Sequence, residues 1–143
     1  MAVESVARVT STNWPEGFEQ MGQGPLADAM GITVDFDGTS VTGRMPVEGN
    51  TQPYGILHGG ATAVLVESVG SIAAGLSSPG RFPVGIEVGV THHRSASHGY
   101  VTARAEALQE GRTLASYLVP VYDDEGRRIA TGRITCLLRD AIR

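Results

Sequence analysis

Two short stretches rich in β-branched residues, 32–36 and 40–47, flank Asp37-Gly38. Asp-Gly favours a tight hairpin turn, because glycine readily takes the positive φ such turns need, so a first hairpin is predicted. Just before it, residues 25–30 fit one or two helical turns ended by Gly31. From residue 59 the period changes. Ala61, Leu65, Val69, Ile72 and Leu76 recur at helical spacing and form an apolar stripe suited to lying on a sheet. The turn-rich segment Gly49-Asn50-Thr51-Gln52-Pro53-Tyr54-Gly55 leads into this helix, and Pro79-Gly80 should stop it near residue 78.

Four strand candidates follow, at 84–93, 100–108, 113–122 and 128–138. The second alternates, with Val101, Ala103, Ala105 and Ala107 on one face and Thr102, Arg104 and Glu106 on the other. Glu110-Gly111 and Asp124-Glu125-Gly126 supply the tight connections of an antiparallel meander. Pro120 lacks an N–H for the ladder and implies an edge position or a bulge. Two strands, one long helix and four strands make an α+β arrangement, met by a six-stranded antiparallel sheet curled around one central helix. Such a sheet has free edges, and pairing across a two-fold axis removes one.

At 143 residues the chain is read as a single domain, residues 1–143, with 1–24 a poorly defined N-terminal segment. All eleven cations are arginines and the net charge is −4, with no basic run able to track a nucleic-acid backbone. Nucleic acid is excluded as a partner. The lone Cys136 excludes an intrachain disulfide or a thiolate metal site. With no signal-peptide core at the N-terminus, the cytoplasm is the expected location. Residues 59–76 carry one charge and approach the length of a membrane span, but Glu67, the glycines and the hydroxyls favour a buried soluble helix and no membrane.

Glu67 is the only acidic residue between Asn50 and Ile86, and at 100° per residue it lies about 200° around the helix from Leu65. Its neighbours on that side, Gly60, Ala63, Val64, Gly70, Ser71 and Ala74, are small and uncharged, which suits a ligand or a second chain. A lone carboxylate on a solvated strip is the plainer reading. In a dry setting the carboxyl pKa would rise and the group gain basicity, with Ser71, one turn on, bonding it or a water it holds. His58-Gly59-Gly60 opens the helix, where free backbone N–H groups and the dipole's positive end can hold an oxyanion. Gly59 and Glu67 stand eight residues apart, roughly 12 Å along the axis. One carbonyl cannot comfortably meet both, which argues for a site shared between chains. No histidine spacing resembles a zinc motif, no serine occupies a G-x-S-x-G elbow, and without lysine there is no P-loop.

Residues 50–61, Asn-Thr-Gln-Pro-Tyr-Gly-Ile-Leu-His-Gly-Gly-Ala, followed by Glu67-Ser68-Val69-Gly70-Ser71, resemble the hotdog-fold thioesterases. Gly85-Ile86-Glu87 through Thr91-His92-His93-Arg94-Ser95-Ala96 looks like theirs too. The likeness is greatest to the PaaI-like branch with the glutamate-type 4-hydroxybenzoyl-CoA and 1,4-dihydroxy-2-naphthoyl-CoA thioesterases. The resemblance implies hydrolysis of an acyl-CoA, aromatic or otherwise bulky, to free acid and CoA by a homodimer or homotetramer, with no cofactor and no metal. Carried over by position, Gln52 and the Gly59 amide would polarise the thioester carbonyl, His58 would support their loop, and Glu67 of the partner chain would act as nucleophile or base. Ser71 would help hold the water, and Gly60, Ser68 and His92 would lie near the substrate. Arg94 and Arg112 are the candidates for the CoA phosphates. The rival readings are a hotdog hydratase or dehydratase, whose histidine-aspartate pattern is missing at the helix, and a non-catalytic acyl-CoA-binding module.

Overall fold

A computed structural model describes residues 24–140. The expected N-terminal segment, 1–24, lies outside the described residues except for Gly24. In chain order the elements are α1 (Pro25–Met30), β1 (Thr33–Phe36), β2 (Val41–Pro46), α2 (Gly59–Ser77), β3 (Phe82–His92), β4 (Tyr100–Arg104), β5 (Glu106–Glu110), β6 (Leu114–Asp123) and β7 (Arg128–Arg139). The predicted hairpin forms, closed by Asp37, whose Oδ1 accepts the N–H groups of Thr39 and Ser40 at 2.8 and 2.7 Å. Gly31 ends α1 at φ 72°, as its position suggested.

The antiparallel sheet runs β1-β2-β4-β6-β7-β3, with β5 paired to β6 alone. Among the described residues it has seven strands where six were expected, because the strand predicted at 100–108 is interrupted at Ala105. The cause lies across the ladder. Ala103 opposite Val121 and Glu106 opposite Leu118 keep one register, which sets Arg104 against Pro120. Proline has no N–H to donate there, and the ladder parts. Pro120 is therefore not on an edge. It occupies an interior strand facing this gap, one residue before a register shift at Val121 and Tyr122. The alternation expected along 100–108 also fails beyond the gap: Val101 and Ala103 are buried, but all of β5 is exposed.

The sheet curls around α2, the one described helix long and apolar enough to cross a membrane, which here is the core helix. Ala61, Leu65 and Val69 are buried as predicted, while Ile72 and Leu76 are only partly covered. Thr62, Val66, Gly70, Ala73 and Ala74 are buried as well. The buried arc thus spans roughly 220° rather than one stripe, because a curled sheet embraces the helix from several sides. Gly70 and Ala74, read from sequence as part of the open face with Glu67, belong to it. Missing side chains permit the close fit. A Cβ at Gly43 would stand 2.3 Å from Val69 Cγ2, at Gly132 2.5 Å from Val66 Cγ2, and at Gly70 2.1 Å from Ile134 Cγ2. Leu65, Val66 and Val69, all at 0% exposure, each contribute roughly 1.5–3 kcal/mol of apolar burial.

Candidate functional site

The start of α2 is built by the loop before it. His58 is the N-cap, and its Nδ1 accepts the Gly60 N–H at 2.8 Å, a role usually filled by Ser, Thr, Asp or Asn. Ala61 and Thr62 donate to the His58 carbonyl. Among the described residues this leaves the Gly59 N–H of the first turn without an acceptor, at the positive end of the helix. Gly60, expected to meet substrate, has its N–H engaged by His58, so any contact must come through its carbonyl or Cα. The His92 ring packs on Gly59, where a Cβ would sit 3.0 Å from Nε2.

Gln52 is held by a loop closed on itself: its N–H donates to Ile56 O at 2.9 Å and its carbonyl accepts from Gly55 N–H at 3.0 Å. Gln52, Gly59, Thr62, His92 and Arg94 line one cleft of about 420 Å3. Gln52, Gly59, His92 and Arg94, each named from the sequence, thus share one lining. Arg112 is not among them. It sits in the β5–β6 connection, where its carbonyl accepts from Arg81 Nη1 near the other end of α2, a helix length of roughly 28 Å away.

Glu67 lies just outside the buried arc, against the backbone of β3: a Cβ added to Gly85 would come 2.9 Å from its Oε1. It borders two shallow hollows, one of about 180 Å3 with Gly85, Ile86, Glu87 and Val88, and one of about 300 Å3 with Leu26, Ala27, Val64, Ser68 and Ser71. Neither shares a lining residue with the Gln52 cleft. The expected dry setting is not present in a single chain, because Glu67 is exposed. Nor does Ser71 bond Glu67. Its hydroxyl turns instead to the buried Cys136 Sγ at 3.8 Å, and Ser68 donates to Val64 O at 2.8 Å. Burial raises the Cys136 thiol pKa, against the lowering effect of the Ser71 bond.

Asn50 was read from sequence only as a turn former. Its Nδ2 donates to Met30 O and Pro46 O, both at 2.8 Å, and its main-chain carbonyl accepts the His58 N–H at 2.9 Å. One residue thereby ties α1 and β2 to the loop carrying Gln52. Its position in the turn-rich motif was the only signal available.

Residues 54–130 match the Thioesterase superfamily. The chain is 37% identical over 123 residues to the proofreading thioesterase EntH of Cronobacter turicensis, covering 84% of this chain and 90% of that one. It is 35% identical over 123 residues to the 1,4-dihydroxy-2-naphthoyl-CoA hydrolase of Escherichia coli, with the same coverage of 84% and 90%. Among solved structures, a glutamine-to-alanine mutant of thioesterase PA1618 from Pseudomonas aeruginosa superposes with a TM-score of 0.82 at 34% identity, over 91% of this chain and 96% of that one. The curled antiparallel sheet around one long helix matches these hotdog-fold neighbours.

Proposed function

Because the chain belongs to the thioesterase superfamily and is a thioester hydrolase, we propose that it releases CoA and a free acid from an aromatic or otherwise bulky acyl-CoA. The similarity to a naphthoyl-CoA hydrolase supports the aromatic acyl group. The thioester carbonyl oxygen is received by the Gly59 N–H and the Gln52 side-chain amide, both on the 420 Å3 cleft. As charge develops on that oxygen, the helix dipole and fixed donors stabilise it more than they stabilise the ground state. Glu67 then acts either as base, taking a proton from the attacking water, or as nucleophile, forming an anhydride that water opens. In both routes the carbon–sulfur bond breaks and CoA leaves as the thiol.

The observation that carries this reading is the separation of the two halves. Within one chain the free Gly59 amide and the Glu67 carboxylate border different cavities, roughly 12 Å apart along α2. A second copy brings them together. Among the described residues the β3 edge beside Glu67 has no neighbour on its outer side, and Val84, Ile86 and Val88 on it are 40, 57 and 40% exposed. A long apolar edge is a template for strand pairing, and antiparallel pairing about a two-fold axis sets the Phe82 end of one strand toward the His92 end of the other. That pairing also carries Arg112 of one chain toward the other's cleft, where with Arg94 it can hold the CoA phosphates. The enzyme works in the cytoplasm as a soluble dimer, two of which assemble into a tetramer.

Mixing two inactive variants, Gln52→Ala and Glu67→Ala, tests the shared site. Hybrid dimers contain one intact site, so activity should return to about a quarter of the wild-type specific value under free exchange of chains. Light scattering supplies the oligomeric state. A monomer fully active at assay concentration would sink the proposal.

A further inference from the structure

We propose that Leu26 on α1 forms a wall of the acyl pocket and sets the size of the acyl group the enzyme accepts. This rests on Glu67 being the group that attacks or activates water at the carbonyl carbon. The hollow of about 300 Å3 beside Glu67 has a polar side, Glu67, Ser68 and Ser71, and an apolar side formed by Leu26, Ala27 and Val64. A reacting carbon must lie about 3–3.5 Å from a Glu67 oxygen or from the water it holds. From that point the acyl substituent has two hollows to enter. The one bounded by Gly85, Ile86, Glu87 and Val88 lies along the β3 edge, which the second chain covers. The remaining direction leads to Leu26.

Leu26 is 61% exposed, and a single exposed leucine is ordinary. Its support is not. Ala27 beside it is 3% exposed and packed in the core, the Ile32 N–H donates to Ala27 O at 3.0 Å, and the Asn50 amide holds Met30 O at 2.8 Å. A wall held this way selects by size, because the pocket cannot relax freely around a misfit. The hollow is at the small end of ligand sites, about 300–1,000 Å3, so one side chain changes much of its space.

The test uses full-length protein and three thioesters, acetyl-CoA, benzoyl-CoA and 2-naphthoyl-CoA, with kcat/KM measured for wild type, Leu26→Ala and Leu26→Trp. The naphthoyl-to-benzoyl ratio should rise about 10-fold in Leu26→Ala and fall about 10-fold in Leu26→Trp, the lower end of what a methylene-scale change in an apolar pocket supplies. Acetyl-CoA, too short to reach the wall, should change less than about twofold by the same reasoning. Ratios that stay put in both folded variants overturn the proposal, as does an equal loss on acetyl-CoA. Glu67→Gln run beside them separates the causes. If it is inactive while the ratios do not move, only the role of Leu26 fails. If it hydrolyses at the wild-type rate, or wild type hydrolyses none of the three, the reading of the site fails and the Leu26 proposal falls with it.

Discussion

Replacing Gly85 by alanine places one methyl group against the proposed catalytic carboxylate and changes little else. The added Cβ would lie 2.9 Å from Glu67 Oε1, 3.6 Å from Glu67 Cδ and 3.7 Å from Ile134 Cδ1. The last two are ordinary contacts. The first is shorter than the roughly 3.4 Å at which carbon and oxygen begin to touch comfortably, so the carboxylate must retreat by about 0.5–1 Å. Displacements of that size at a reacting centre cost up to about 10²-fold in rate. The expected result is therefore a kcat lower by about 10- to 100-fold. Stability should hold or rise, because Gly85, beside the register shift in β3, has no positive φ and alanine restricts the unfolded chain. Hydrolysis of the preferred acyl-CoA, followed by release of free thiol, measures the first effect, and thermal unfolding the second. In a Glu67→Gln background Gly85→Ala should have almost no further effect, since the group it displaces has already lost its chemistry. A folded Gly85→Ala enzyme with wild-type kcat would show that the position of the carboxylate does not matter to the reaction.

Arg94→Ala should raise KM for CoA esters several-fold while leaving kcat nearly unchanged, because a phosphate contact far from the carbonyl is alike in ground and transition states. The same variant should be indistinguishable from wild type on a truncated pantetheine ester, and an equal loss there would remove Arg94 from the nucleotide site. Cys136, at 0% exposure and with its thiol pKa raised by burial, should not react with a disulfide dye over the time of an activity assay. Denaturation should then reveal one thiol per chain, and rapid labelling of the native enzyme would contradict its burial.

What the sequence disclosed, and what it did not, follows the range of the interactions involved. The hairpin at Asp37-Gly38, the start and length of α2 and the stop at Pro79-Gly80 are set by residues within a few positions of one another, and each is found within a residue or two of its expected place. The break at Ala105 is governed by Pro120, fifteen residues away in sequence and across a ladder. No local pattern encodes it. The breadth of the buried arc on α2 likewise depends on Gly43 and Gly132, which lie on different strands. At the site, Gln52, Gly59, His92 and Arg94 converge because one motif and one strand end supply them. That the Ser71 hydroxyl turns to Cys136 was not legible locally, because the two lie sixty-five residues apart. The space that Gly85 leaves for Glu67 is visible only once β3 is laid beside α2.

Asn50 stands between two centres if each site draws Gln52 and Gly59 from one chain and Glu67 from the other. Every chain then lends its loop to one site and its α1 wall to the second. Asn50 bonds both parts, through Met30 O on α1 and His58 N–H at the loop's end. Its side-chain amide on Met30 O and its main-chain carbonyl on the His58 N–H would then form a strut between two active centres and not a brace within one. An acyl group pressing on Leu26 in one centre would then load the backbone that aims Gln52 in the other, a link that runs through one residue of each protomer.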